Sequence, residues 1–323
     1  MATNRQRSGL EFANDILHII SSANPIIGPI HELGIGYAIE SDGLEQILVH
    51  AKSFGMKTTI TTNGTTLYKE RLCKIKEYID FIAISLDGPP RVHNKIRGSK
   101  YAFDKLLLGL ENVRDTGIKF GFIHTLTRES WEHLLWICEF VANHNATLFQ
   151  IHPLELEGRA DIMMQSNTVN DDILARVYLI TLVLASKYKG SMVIQFDAFR
   201  RDYVLKNPES VYSSELYYNS SNTNDIKLAD LLNFLVVEAD GSVVPIAYNF
   251  SKRYKLCNIK NQRLSEIWPA YLRRQEGGYM MFRKLCQEVF REISTNSLSN
   301  EPLLPFFNWY ELIVSRSNKL FPD

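Results

Sequence analysis

From residue 9 to about 197 the chain alternates helical and strand-like apolar patterns with a repeat of roughly 25 to 30 residues, and no other feature of the sequence limits the fold as tightly. The runs KTTITTN (57–63), FIAISLDG (81–88), KFGFIHTLT (119–127), TLFQIHPLELEG (147–158) and SMVIQF (191–196) read as strands, with a further one at about 28–39. Helical spacing runs through LEFANDILHII and through DGLEQILVHAKSFG, which opens on an Asp42/Glu45 capping box and closes on Gly55. Further helices are expected at about 66–78, 100–115, 129–144 and 170–187. Strands this apolar, each returning through a helix, imply parallel pairing with helices outside. The expected class is α/β, a partial (β/α) barrel.

Residues 207–227, NPESVYSSELYYNSSNTNDIK, are polar and turn-rich, and a domain boundary is expected there. The expected division is a barrel over 1–198, a linker over 199–231 and a second lobe over 232–323. In that lobe FLVVEADGSVVPIAY is two apolar strands around an Asp240-Gly241 turn, a hairpin signal. A helix led by RLSEIW follows, with Trp268 as an apolar anchor, and the tail from about 276 reads as short helices.

Thirty-six basic and 36 acidic residues cancel, so no bulk field attracts nucleic acid or an anionic membrane surface. The longest apolar run, Ile173 to Ala185, contains Arg176 and is too short to span a bilayer, and MATNRQRS has no apolar region behind its charges. A cytoplasmic location is expected. The four cysteines, Cys73, Cys138, Cys257 and Cys286, lie far apart, without CxxC or metal-ligand spacing. They read as buried free thiols, and no metal ligand is expected.

In parallel α/β architectures ligands sit at the carboxyl ends of strands. Three polar tips therefore stand out: Thr61-Thr62-Asn63-Gly64, Ser85-Leu86-Asp87-Gly88 and Thr125-Leu126-Thr127. Each alone is an ordinary turn former. In this order and spacing, with SLDGPPRVHNKIRGSKYAFDKLLLGLENVRDTGI and IHPLELEGRA, they resemble the core of radical S-adenosylmethionine (SAM) enzymes over roughly residues 9–197. The run DGSVVPIAYNFSKRYKLCNIKNQRLSEIW is similar to the auxiliary-cluster (SPASM or twitch) domain of the peptide-modifying members. The resemblance implies a partial (β/α)6-type barrel with a small α+β lobe, and S-adenosylmethionine and a [4Fe–4S] cluster as the family's cofactors. It implies that Asn63 and Ser85 approach the polar groups of adenosylmethionine, that Asp87 shapes the turn, that Arg97 pairs with the methionine carboxylate, and that Thr127 lies near the adenosine end. His93, a lone loop histidine, reads as a surface hydrogen-bonder.

The sequence departs from that family in three places. The family's cluster is held by three thiolates of CxxxCxxC, and no such motif is present; the first helix begins near Leu10, so the family's first strand and cluster loop would lie before Met1. Where the family has GGEP, the matching positions are Gly34, Ile35, Gly36 and Tyr37, without the carboxylate. In the second lobe Ile246, Gln262 and Val289 stand where auxiliary ligands are expected. The reading is a degenerate radical SAM-like protein without its own iron–sulfur chemistry and with no cofactor expected, which binds a peptide or an active homologous chain. One alternative is a fragment of an active enzyme that generates a 5′-deoxyadenosyl radical, with its cluster loop encoded upstream. Another is metal-free acid/base catalysis by Glu155, Glu157, His124 and His152.

Overall fold

A computed structural model describes residues 32–36, 43–156, 159–207, 235–248, 250–274, 277–295, 306–307, 312–314 and 316–317. The run LEFANDILHII, Asp42, Glu157 and the polar stretch 208–234 lie outside the described residues. The described residues divide into two compact units, one up to Ala198 and the other from Phe199 onward.

The first unit is built on six strands: β1 (Glu32–Gly36), β2 (Lys57–Thr62), β3 (Phe81–Ser85), β4 (Phe120–Leu126), β5 (Leu148–Pro153) and β6 (Val193–Phe196). They lie in the order of the sequence and every neighbouring pair is parallel. The returns are α1 (Leu44–Ser53), α2 (Lys69–Ile75), α3 (Pro90–Ile96) with α4 (Ala102–Thr116), α5 (Leu134–Asn143), and α6 (Arg159–Met163) with α7 (Asp171–Lys187). Sequential parallel order with a helical return at each step is the connectivity of a (β/α) barrel or an arc of one.

Burial separates the two faces of this sheet. Thr58, Ile60 and Thr62 of β2, Ile82 and Ile84 of β3, Phe120, Phe122, His124 and Leu126 of β4, and Phe149 and Ile151 of β5 are all buried. They share one face by register, since Ile60 pairs with Ile82, Ile84 with Phe122 and His124 with Ile151. That face meets the helices: a Cβ on Gly64 would touch Ile84 at 3.0 Å and Leu106 of α4 at 3.4 Å. The opposite face presents Thr59, Thr61, Ser85, Ile123, Thr125, Gln150, His152 and Gln195, all half-buried or exposed. This polar, open face is where a ligand can lie. Gly109 brings α4 against the β2 tip, for a Cβ there would sit 2.1 Å from the Gly64 carbonyl oxygen.

Several local expectations change. Helix α1 starts behind Gly43, whose φ of 95° places it in the left-handed region, and no side chain among the described residues caps it; Glu45 contributes charge to the first turn. The segment expected as a loop around His93 is α3, for which Pro90 in the first turn supplies the helical φ in advance. His93 is 1% exposed, so it is no surface histidine. The fourth expected strand is shorter than its sequence suggested: β5 stops at Pro153, and 154–156 are not strand. Cys73 is exposed on α2, while Cys138, Cys257 and Cys286 are buried.

In the second unit β7 (Phe199–Arg200) and α8 (Arg201–Lys206) occupy the beginning of the segment expected as a linker. The hairpin is β8 (Leu235–Val237) and β9 (Ser242–Pro245), antiparallel around Gly241 at φ 83°. Asp240 Oδ1 accepts from Ser242 N at 2.8 Å and completes the turn. Sequence reading missed β10 (Cys257–Asn258), which adds a third antiparallel strand beside β9. Helix α9 (Leu264–Arg273) buries Trp268 and Tyr271, stacked with centroids 5.8 Å apart. The tail holds one long helix, α10 (Tyr279–Thr295), rather than only short ones. Phe282, Leu285, Cys286, Val289 and Ile293 recur on one face and are all buried.

Candidate functional site

The residues expected at the strand tips fall into two groups. Asn63, just past β2, is half-buried; its Oδ1 accepts from Thr65 N at 2.9 Å and from Thr65 Oγ1 at 2.8 Å, an Asx turn that lets Gly64 take φ 81°. Ser85, the last residue of β3, is half-buried on the open face, and its hydroxyl has no partner among the described residues. Thr127, beyond β4, is buried: its N–H donates to Ser130 Oγ at 2.9 Å, and Ser130 N donates to Thr127 Oγ1 at 3.1 Å. That reciprocal pair closes the turn into the helical segment that follows, so Thr127 holds the loop and offers little to a ligand.

Asp87, Arg97 and His93 make one knot at the β3 tip. Arg97 Nε donates to Asp87 Oδ2 at 2.5 Å, and His93 Nδ1 lies 3.5 Å from the same oxygen. Asp87 N donates to His93 Nδ1 at 3.2 Å, which assigns the neutral ring's proton to Nε2. Burial lowers the His93 pKa to about 4, with the Arg97 charge adding to the effect and Asp87 opposing it. Asp87 Oδ1 and His93 Nε2 are buried without a partner among the described residues. Asp87 therefore does more than shape a turn: it holds Arg97 from behind and leaves the two terminal guanidinium nitrogens without partners among the described residues.

The four residues of the acid/base alternative separate. His124 faces the helices, fully buried, with Nδ1 3.0 Å from Leu86 O and Nε2 3.2 Å from Ser130 Oγ. Burial holds its pKa below the ordinary value. Glu157 lies outside the described residues. His152 and Glu155 come together on the open face, His152 Nε2 lying 3.3 Å from Glu155 Oε1. They meet a residue sequence reading missed: Asp197 Oδ2 lies 3.3 Å from His152 Nδ1. The signal for Asp197 was present, a carboxylate at the carboxyl end of a strand.

Residues 14–141 carry a radical SAM domain, matching the radical SAM superfamily model over that range. Over 282 residues the chain is 26% identical to Fe-coproporphyrin III synthase of Methanosarcina barkeri, covering 81% of this chain and 68% of that protein. It is 22% identical over 270 residues to a cysteine-type anaerobic sulfatase-maturating enzyme of Clostridium novyi, covering 81% and 64%. Among solved structures, native anSMEcpe with AdoMet and a peptide bound superposes with a TM-score of 0.61 at 16% identity, covering 97% of this chain and 88% of that one. Streptococcus suis SuiB bound to its precursor peptide SuiA gives 0.56 at 17% identity, covering 79% and 57%. The chain therefore has the α/β fold of radical SAM enzymes.

An iron–sulfur cluster of that family needs three thiolates at one place. Cys73 and Cys138 lie on α2 and α5 of the first unit, and Cys257 and Cys286 on β10 and α10 of the second. Burial pushes the Cys138 and Cys257 thiols up to about 11, away from the thiolate a cluster requires. Among the described residues no three His, Cys, Asp or Glu side chains are placed to hold a metal ion. Where the resemblance puts the first auxiliary ligand stands Ile246, a β-branched residue at φ 71°. The thiols present do not fit a cluster. No helix among the described residues is long and apolar enough to cross a membrane.

Proposed function

We propose that the chain is a degenerate radical SAM-like protein whose 323 residues carry no iron–sulfur chemistry of their own, and that it binds a peptide or an active homologous chain on the open face of its sheet. The observation that carries this reading is the scatter of the four cysteines, two to each unit and three of them buried. The open face supports it from the other side: threonine, serine, glutamine and histidine side chains at half exposure suit hydrogen bonding to an extended backbone. The known companions of this fold are consistent, since anSMEcpe and SuiB are both solved with peptides.

Adenosylmethionine has few contacts in this reading. Ser85 and the outer nitrogens of Arg97 are the donors for its methionine end, and Asn63 lies near the adenosine end. Asp87 already pairs with Arg97, so an incoming carboxylate shares the guanidinium. A charge-assisted hydrogen bond contributes only about 1.5 to 3 kcal/mol, less than ordering a flexible ligand costs. Affinity is therefore expected at roughly millimolar or weaker.

Anaerobic iron–sulfur reconstitution followed by iron counting and visible absorption tests the first half, and titration calorimetry with adenosylmethionine tests the second. The expected outcome is iron well below one cluster per chain and no heat at micromolar ligand. A stoichiometric cluster, or micromolar binding without iron, overturns the reading.

A further inference from the structure

Polar side chains from two neighbouring strands converge on one imidazole at the open face. Gln150 and His152 belong to β5, while Gln195 belongs to β6 and Asp197 follows it; the two glutamines are register partners. Gln150 Nε2 donates to Asp197 Oδ2 at 2.6 Å, and Gln195 Nε2 donates to Asp197 Oδ1 at 2.7 Å. With both oxygens held, Asp197 is immobile behind the ring, its side chain 17% exposed. Glu155, on the segment after β5, meets the other edge of the ring, and its second oxygen has no partner among the described residues. The imidazole thus lies between one carboxylate that is fixed and one that can move.

His124 is the useful contrast. It too bonds through both nitrogens, but it is fully buried on the helix side, where such bonds are required to satisfy the ring. His152 is 39% exposed, and water could satisfy it without any of these partners. A fixed carboxylate on Nδ1 of a half-exposed histidine is the arrangement that selects a tautomer and aims Nε2 outward.

We propose that His152 and Asp197 form a metal-free proton-transfer dyad on the open face, acting through His152 Nε2 on a ligand with an acidic C–H bond, such as one beside a carbonyl. Asp197 is the positioning residue. Glu155 occupies the place that the ligand takes when it binds. In the step, the C–H bond breaks and its electron pair passes into the ligand; the proton forms the Nε2–H bond and is later returned to the ligand or to water. Nothing is oxidised, and no co-reactant is needed.

Among the described residues the charged groups facing the ring are Asp197 and Glu155. Burial works against its charge, but the hydrogen bonds to these two outweigh that and push the His152 pKa up to about 9. Burial raises the Asp197 pKa, yet the bonds from His152, Gln150 and Gln195 leave it below the ordinary value. At neutral pH the ring is therefore a proton donor, and above its midpoint it is a base.

The test needs no peptide, so its failure is separate from failure of the proposed function. In histidine-selective nitrogen NMR of the full chain, the neutral His152 ring is expected to keep its proton on Nδ1, and Asp197→Asn to lose that preference and lower the midpoint by at least one unit, a tenfold fall in proton affinity. A nitrobenzisoxazole, which opens to a coloured phenolate once a base removes its ring proton, then reads the chemistry above the midpoint. Wild type is expected to open it at least tenfold faster than Asp197→Asn, and His152→Asn to show only the buffer rate. Glu155→Gln removes one of the two charges that raise the ring's pKa, so it should lower the midpoint while leaving the neutral ring's proton on Nδ1, which separates the charge beside Nε2 from ring orientation by Asp197. A neutral ring protonated on Nε2, or a rate untouched by His152→Asn, overturns the dyad.

Discussion

At the scale of single residues, two histidines set opposite limbs of the stability profile. His93 is buried neutral with its pKa lowered to about 4, so between about 6.5 and 4 the unfolded chain takes up a proton that the folded chain refuses. Stability therefore falls as pH drops through that window, by on the order of 3 kcal/mol for this group, and His124 adds to the same limb. His152 acts the other way. Its raised pKa contributes stability that is complete below about 6.5 and is lost as pH rises through about 9. Its side chain is 39% exposed, so solvent screening makes this limb shallow. Urea midpoints measured from pH 4 to 10 should peak near neutrality, and His152→Asn should flatten only the alkaline side. Neither histidine's environment was legible in the chain. His93 looked like a loop residue until Pro90 placed it on a helix, and nothing local says that His124 and His152, on neighbouring strands, point to opposite faces.

Between elements, the decisive contact is α4 against the β2 tip. Propensity alone says that Gly109→Ala should stabilise α4 by about 1 kcal/mol. The added Cβ would stand 2.1 Å from a backbone oxygen, which no rotamer change relieves. The net effect is therefore expected to be a loss of about 1 to 3 kcal/mol, read as a lower urea midpoint with an unchanged slope. Because Asn63 and Gly64 share that loop, amide shifts should spread to the Asn63 turn. The β and α repeat itself was readable because each strand is a short apolar run bounded by turn residues, and each helix carries its own 3.6-residue spacing. The two-residue strand β10 was not, because so short a piece has no period.

On the scale of the whole molecule, the two units should respond separately to a core lesion in one of them. Trp268 is 2% exposed and stacked on Tyr271, and truncating such a side chain costs about 3 to 5 kcal/mol. In Trp268→Ala, hydrogen exchange should accelerate first in β8, β9, β10, α9 and α10, with the amides of β2 to β5 keeping their protection. Uniform loss across both sets would mean that they unfold as one. The order of strands, their parallel sense and the carboxyl-end tips were all determined by the sequence itself, since these follow from local periodicity and from the handedness of connections. The scatter of the cysteines was equally plain, because a missing motif needs no coordinates. Only the tertiary structure decided which polar residues meet. Asp87 joins Arg97 and His93 across a turn and a short helix, and Asp197 reaches His152 from the next strand over a separation of 45 residues. Such pairings depend on register and on which face each side chain takes, and a shift of one residue in a strand would reverse them all.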